Sequence, residues 1–509
     1  MKIGITCIKG SLPGFENFGN LPTDIVNSNG LTNGVKASKE LDALIIPGGS
    51  LIESNNISKE LIREIKNIAS DNKPIIGICA GFQILGNKID IGRKSNCPIE
   101  KEGLGLIDVD FSPLISSDKV EAIIRNESFL TKDLKDSIIS GFHTHTYGKV
   151  EGDAKPLFYS KIQRMNYQDT NSKGEYNIFS GAIGDNENVI GTMIHNVLDE
   201  NPSLVNNFFK FLDLGEEEID NIYLKNKEFK NNLSKSIGIN LDITVNNLTN
   251  PYLKYKKNKD ELPRVLMIAS TGSDSGKTFI NTGLAGVLRK AGLNVGLIKV
   301  GPDVRDIIPG LYLTKGVMED FASIKIGHLG WMDIKEILEK LKSSSYDIVL
   351  IEGVMSVFTG LLNESTPYSA AEIATSSNIP ILLVSGVNKG GIESAAFDLI
   401  QHTKILNSFN IDVNGIILNK VYNTEIFNNI TPFIKKETGV NEVFEIPKIK
   451  LSKRGNTPEV EIDYNQFSQT ALKTIEENLN LEKILNMTAI PKFNKYLTYN
   501  EIKEKFTGD

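Results

Sequence analysis

Short apolar runs alternate with helically spaced apolar positions along most of the chain. LDALIIPGG, from Leu41, closes on two glycines and reads as a buried strand meeting a tight loop. ISKELIREIKNIASDNK, from Ile57, has helical spacing and leads into a second buried strand, PIIGIC. The alternation returns at Arg264 with RVLMIAS, a helical FINTGLAGVLRKAG, and the strands NVGLIKV, YDIVLIEG, IPILLVSG and VNGIILNKV. Strands alternating with helices predict largely parallel sheets, so the expected fold is α/β, with two doubly wound domains. The boundaries read from the pattern are 1–215 for the first domain, 216–261 for a polar, Asn/Lys-rich linker, 262–450 for the second domain and 451–509 for a helical C-terminal extension. Part of the linker alternatively forms a helix on the first domain. The extension carries two helical stretches and no evident chemistry.

Composition narrows the class. The chain has 509 residues, 40% hydrophobic and 23% charged, with a formal charge of −7. That is the composition of a soluble globular protein without a general nucleic-acid surface. The three cysteines, Cys7, Cys79 and Cys97, form no CxxC pair, which argues against a disulfide framework or a structural zinc site and for a reducing, cytoplasmic setting. No run approaches the ~20 apolar residues of a membrane span, and the N-terminal stretch lacks a signal-peptide core.

Gly77-Ile78-Cys79-Ala80-Gly81 places a thiol between a strand and a helix in a G-x-nucleophile-x-G frame. Such an elbow projects the nucleophile beside a helix N-terminus, where a thiolate and an oxyanion are both stabilised. The alternative is a buried cysteine acting as a small hydrophobe. His195, in VIGTMIHNVLDENP, follows a short strand and is the candidate base for a Cys–His pair; alternatively it starts a helix with a structural hydrogen bond.

MIASTGSDSGKTFINTG carries the second candidate chemistry. Thr271 stands where the strict phosphate-loop pattern has glycine, but Gly276-Lys277-Thr278 is intact. The small residues Gly272, Ser273, Ser275 and Gly276 let backbone amides curl around phosphates, Lys277 reaches their oxygens, and Thr278 can ligate Mg2+. A turn that merely caps a helix is the alternative. Glu352 ends the strand of YDIVLIEG, placed either to meet that Mg2+ or simply exposed. Lys299 and Asp303, in GLIKVGPDVRD, lie at the carboxyl edge of a strand, where open α/β sheets bind ligands.

GICAGFQILG with GTMIHNVLD, and EKEGLGLIDVDF and SGFHTHTYGKV between them, resembles the class I glutamine amidotransferases, in the branch of cobyrinate a,c-diamide synthase and cobyric acid synthase. The resemblance implies Cys79 as nucleophile, His195 as its base, Gln83 as a contact for glutamine, and Gly48 and Gly49 in the oxyanion hole. Many class I enzymes have Glu two residues after the histidine; here Val197 stands there, so a Cys–His dyad is expected. The branch's G-Y-E-I-H segment reads Gly141-Phe142-His143-Thr144-His145, with His143 replacing the acid. KVGPD, EGVM, SAAEIATSSNIPILLVSGVNKGGIESAA and VNGIILNKV resemble the same family's ATP-binding domain and, more remotely, dethiobiotin synthetase. This implies a P-loop domain of dethiobiotin synthetase type, with Asn419 and Lys420 by the adenine. In the family the ATP-binding domain normally comes first; here the order is reversed. The family's substrate-side segment is replaced by VRDIIPGLYL, which keeps Asp306 and Pro309 but no histidine.

These readings converge on ATP- and glutamine-dependent amidation of a small-molecule carboxylate, with a tetrapyrrole side chain the first candidate, through an acyl phosphate and channelled ammonia. ATP, Mg2+ and L-glutamine are the implied cofactors and co-substrate. The rival is a nucleotide-switched regulatory or binding P-loop ATPase with an inactive amidotransferase-like domain. ATP-dependent carboxylation gives Cys79 no role. A homodimer is the default assembly. His328 and His402 receive no role, and Trp331 is read as core or substrate-lining.

Overall fold

A computed structural model describes the chain except residues 50, 52–56, 94, 163–175, 237–250, 364, 389, 451–463 and 508–509. It divides into two compact units, one built on Met1–Ile237 and one on Gly238–Ser452 with Tyr464–Asp509.

The first unit is organised on a nine-stranded sheet. Asp24–Val26, Ile3–Thr6, Ala43–Ile46, Ile75–Ile78 and Val189–Thr192 run parallel in that spatial order. Tyr176–Ile183, Lys155–Ile162, Lys119–Ile124 and Ile138–Phe142 then continue it antiparallel. Of the parallel strands, all but the edge strand Asp24–Val26 are buried along their length and so read as apolar runs. Lys119–Ile124 alternates buried and more exposed positions, as a half-covered strand does.

Among its described residues the second unit has seven strands, all parallel. Their order is Ser323–Ile324, Val295–Val300, Ile348–Glu352, Arg264–Ser270, Ile381–Gly386, Val413–Val421 and Val443–Pro447. Among the described residues no helix is long and apolar enough to cross a membrane.

Two boundaries differ from those read in the sequence. Glu216–Ser236, taken as linker, is a helix of the first unit. Ile222, Asn226, Phe229 and Leu233 bury one narrow stripe of it, and Asn226 Nδ2 donates to the carbonyl of Pro22 at 2.8 Å. At the other end of that segment, Lys256 and Lys257 fasten residues 256–257 to Asp347 and to the end of helix Ile334–Ser343. What remains of the linker, 237–250, lies outside the described residues, as does the start of the extension at 451–463. The rest of the extension belongs to the second unit. Helix Tyr464–Asn478 lies on helix Lys277–Lys290, which approaches closely because it presents glycine: a Cβ at Gly283 would sit 2.2 Å from Ile475 Cγ1 and 2.6 Å from Ala471 O.

Candidate active sites

The strand Ile75–Ile78 turns into helix Ala80–Leu85 at Cys79, whose φ of 51° and ψ of −109° are strained for a residue with a side chain. Both flanking glycines are required by space. A Cβ at Gly77 would lie 2.8 Å from Gly81 C, and one at Gly81 would lie 2.0 Å from Ile46 O. Cys79 N donates to Thr192 O at 2.7 Å, tying the elbow to the strand that leads to His195.

His195 is 2% exposed, and its backbone pairs with Phe142. The Phe142 ring stacks on its imidazole at 5.3 Å and the Phe15 ring meets it edge-on at 5.2 Å. Gly48 lies between the imidazole and the thiol: a side chain there would meet His195 Cε1 at 2.7 Å and Cys79 Cβ at 3.5 Å. Gly49 has φ of 135° and is overlaid by Gly10, whose oxygen would be 2.0 Å from a Cβ. Gln83 is buried and donates to Tyr147 O at 2.9 Å, so its amide is tied to the segment after His145.

A carboxylate also lies against the imidazole. Glu16, from a loop near the chain's start, contacts His195 Nδ1 through Oε1 and accepts from Asn196 N at 2.8 Å through Oε2. The position two residues after the histidine is Val197; the carboxylate on the ring comes instead from 179 residues upstream. Burial works against protonation of His195, but the Glu16 carboxylate and the Cys79 thiolate outweigh it and raise its pKa to about 10. Nε2 makes no hydrogen bond of normal geometry, although Cys79 is close enough to contribute to that rise. His143 is fully buried beside His145, ring centres 4.8 Å apart, and neither of its ring nitrogens has a hydrogen-bond partner.

In the second unit the loop after strand Arg264–Ser270 opens helix Lys277–Lys290. Gly276 sits at φ 88°, and a Cβ there would lie 2.1 Å from Asn419 Nδ2. Gly272 has open space around it, and Ser273 is exposed. Ser275 Oγ donates to Gly272 O at 2.7 Å, drawing the loop into a curl. Lys277 Nζ donates to Ser270 Oγ at 2.8 Å. Burial and the neighbouring Lys299 lower its pKa to about 8.

Glu352 gathers the other charged groups. Thr278 Oγ1 donates to its Oε1 at 2.7 Å, and Lys299 Nζ lies 3.2 Å from the same oxygen. Strand register sets this, since Lys299 and Glu352 are directly paired on adjacent parallel strands. Asp306, not Asp303, completes the cluster, accepting from Lys299 at 2.6 Å. Asp303 accepts from Arg305 Nε at 2.9 Å. Burial opposes charge on Lys299, but Glu352 and Asp306 reverse the effect and hold its pKa above the usual lysine range.

Thr278 and Glu352 are adjacent hard-oxygen donors, which suits Mg2+. Among the described residues no group of three or more His, Cys, Asp or Glu could hold a metal. Asn419, implied for adenine, braces the phosphate loop by donating to Ser275 O at 2.8 Å, and Lys420 contacts Asp274 O. Trp331 is half-buried; the His402 ring stacks on Phe358 and the His328 ring meets Tyr368 edge-on.

Residues 11–203 match the CobB/CobQ-like glutamine amidotransferase domain, and residues 266–458 match the CobQ/CobB/MinD/ParA nucleotide binding domain. Cobyrinate a,c-diamide synthase of Caldanaerobacter subterraneus subsp. tengcongensis is 30% identical over 257 residues, 48% of this chain and 55% of that protein. Cobyric acid synthase of a Thermoanaerobacter species is 32% identical over 210 residues, 37% of this chain and 38% of that protein. Cobyrinate a,c-diamide synthase of Dehalococcoides mccartyi is 30% identical over 234 residues, 44% of this chain and 48% of that protein. The chain thus spans about half or less of the length of these relatives. The two matched domains thus follow one another in this chain, the glutamine amidotransferase domain first and the nucleotide binding domain second.

Proposed function

We propose that the protein is a glutamine-hydrolysing amide ligase that uses ATP to activate a carboxylate on a small molecule. The observation that carries this reading is the placement of Cys79 and His195 around Gly48, in a chain whose other unit holds a phosphate loop. His195, with its pKa raised to about 10, holds the proton drawn from Cys79, and the sulfur attacks the side-chain carbonyl carbon of glutamine. Backbone amides about Gly48 and Gly49 receive the developing oxyanion. The carbon–nitrogen bond breaks as His195 returns the proton to the departing nitrogen. Water then cleaves the γ-glutamyl thioester, giving glutamate and restoring the thiol.

In the second unit Lys277 and the first amides of its helix would receive the phosphates, and Thr278 and Glu352 would hold Mg2+. Bound there, Mg2+ neutralises phosphate charge during transfer. Transfer of the γ-phosphoryl group to the substrate carboxylate gives an acyl phosphate. Ammonia displaces phosphate from it and leaves an amide. Ammonia in neutral water is mostly protonated and no longer nucleophilic, so the reading requires delivery without release to bulk solvent. The names of the relatives support a tetrapyrrole polycarboxylate as acceptor.

The test is glutamate release by the purified protein with and without Mg-ATP, beside Cys79→Ala, followed by screening of cobyrinic acid and other polycarboxylates. Release that depends on Cys79, with an acceptor that becomes amidated, is expected. ATP turnover with no glutamate release under any condition would favour the nucleotide-switched reading instead.

A further inference from the structure

Glu16 is 4% exposed, and both its oxygens are used on the His195–Asn196 turn. The loop that carries it is unusual. Phe18, Gly19 and Asn20 all have positive φ, at 52°, 65° and 58°. Such a run of left-handed residues persists only where its surroundings over-determine it. Two charged groups do this here. Asp199, four residues after His195, accepts from Asn17 N at 2.8 Å and from Gly19 N at 2.7 Å. Lys230, on helix Glu216–Ser236, donates to Asn17 Oδ1 at 2.8 Å and Asn20 Oδ1 at 2.6 Å. Residues 195–199 therefore grip the loop twice, at Glu16 and at 17–19, and the helix closes it from the far side.

We propose that Glu16 is the positioning residue of a Cys79–His195–Glu16 relay, with its loop locked by Asp199 and by Lys230. The role follows from which nitrogen it touches. A carboxylate on Nδ1 fixes the ring orientation in which that nitrogen bears its proton. Nε2 is left free to take a proton on the side of Gly48 and Cys79. The carboxylate also stabilises the imidazolium formed after that transfer. The titratable groups facing His195 are Glu16, Cys79 and His143, and Glu16 in turn acts on Asp199. The proposal rests on the glutaminase reading for its purpose, but not for its test.

The test is Glu16→Gln in the full chain, which keeps the bond from Asn196 N and removes the charge. The His195 ring is followed by NMR in protein labelled at its histidines, and glutamate release is measured in parallel. His195 is expected to titrate well below the wild-type midpoint. Release is expected to fall on the order of 10²-fold in kcat with KM for glutamine little changed. Glu16→Asp should recover part of both, and Lys230→Met should lower kcat in the same sense. An unchanged His195 midpoint in Glu16→Gln would overturn the proposal, whatever the activity. A lowered midpoint in a protein that never releases glutamate would uphold the relay and sink the glutaminase reading instead. If Glu16→Gln fails to fold, Lys230→Met carries the same comparison, and no change in His195 titration or kcat there overturns the lock.

Discussion

Lys277 donates its ammonium to the main-chain oxygen of Met355 at 2.7 Å, 78 residues down the chain. The lysine of the phosphate loop is thus held over its own loop by neutral acceptors, Met355 O and Ser270 Oγ, rather than by a carboxylate. A phosphate oxygen offers a charged acceptor in their place, and such bonds are about twice as strong. Lys277→Met is expected to lower ATP turnover by about 10²–10³-fold, the usual cost of removing one donor from a developing charge. Glutamate release without ATP should persist. Comparison of ATP hydrolysis and basal glutamate release in the variant checks both.

The glycines of that loop are not equivalent. Gly276 has a positive φ and Asn419 Nδ2 at 2.1 Å from any Cβ, whereas Gly272 has open space. Gly272→Ala should fold and bind nucleotide nearly as the wild type does. Gly276→Ala should displace Asn419 from Ser275 O and reduce nucleotide affinity at least ~10-fold, because the added methyl meets both a strained backbone and a bracing side chain. Titration with a fluorescent ATP analogue reads the two side by side.

Much of this was legible in the sequence where the determinant is local. Cys79 stands out because the glycines that make room for it are two residues away on either side, and Ile75–Ile78 because a strand buried on both faces is an unbroken apolar run. Glu16 was not legible. Its partner is 179 residues away, and nothing in GFENFGNLP has a period; the only hint is an acid between two phenylalanines in a Gly/Asn-rich loop. Helix Glu216–Ser236 was read as linker because its buried stripe is one residue wide and includes Asn226, which is buried for a hydrogen bond rather than for apolar area. That Asp306 reaches Lys299 was hidden for a similar reason. Proximity to the strand end favours Asp303, but the turn Val304–Ile307 swings the next carboxylate back to Lys299.

The C-terminal extension acts on the phosphate-loop helix, so Gly283 makes a sharp test. In a helix interior, alanine is favoured over glycine by about 1 kcal/mol. Here the new methyl would sit 2.6 Å from Ala471 O, a backbone atom that cannot rotate away, besides Ile475 at 2.2 Å. Overpacking of this kind costs about 1–3 kcal/mol, so the clash should win over the propensity. Gly283→Ala is expected to lower the unfolding midpoint of the second unit. Its transition is isolated by fluorescence of Trp331, the chain's single tryptophan. A midpoint raised by the substitution would mean that helix Tyr464–Asn478 yields easily and does not hold the loop helix.

His143 supplies a pH prediction of opposite sign to that of His195. Burial, with His145 and His195 nearby, pushes its pKa well below the ordinary 6.5. Above that value the ring is neutral in both folded and unfolded chains and has no effect on the pH dependence. As pH falls below 6.5 the unfolded chain binds a proton that the folded one refuses, so stability is lost at about 1.4 kcal/mol per pH unit until the folded ring can also protonate. His195 behaves inversely. Its raised pKa makes its stabilising effect complete below 6.5 and lost as pH climbs toward about 10. His143→Leu removes a ring whose nitrogens bond to no protein group, so the folded state should be at least as stable near pH 7.5. Between pH 7.5 and 5 it should lose roughly 2 kcal/mol less stability than the wild type. Urea denaturation of both proteins at the two pH values, followed by circular dichroism, makes the comparison. Equal losses would show that His143 takes up its proton in the folded state, which would require an acceptor in the space its ring nitrogens face.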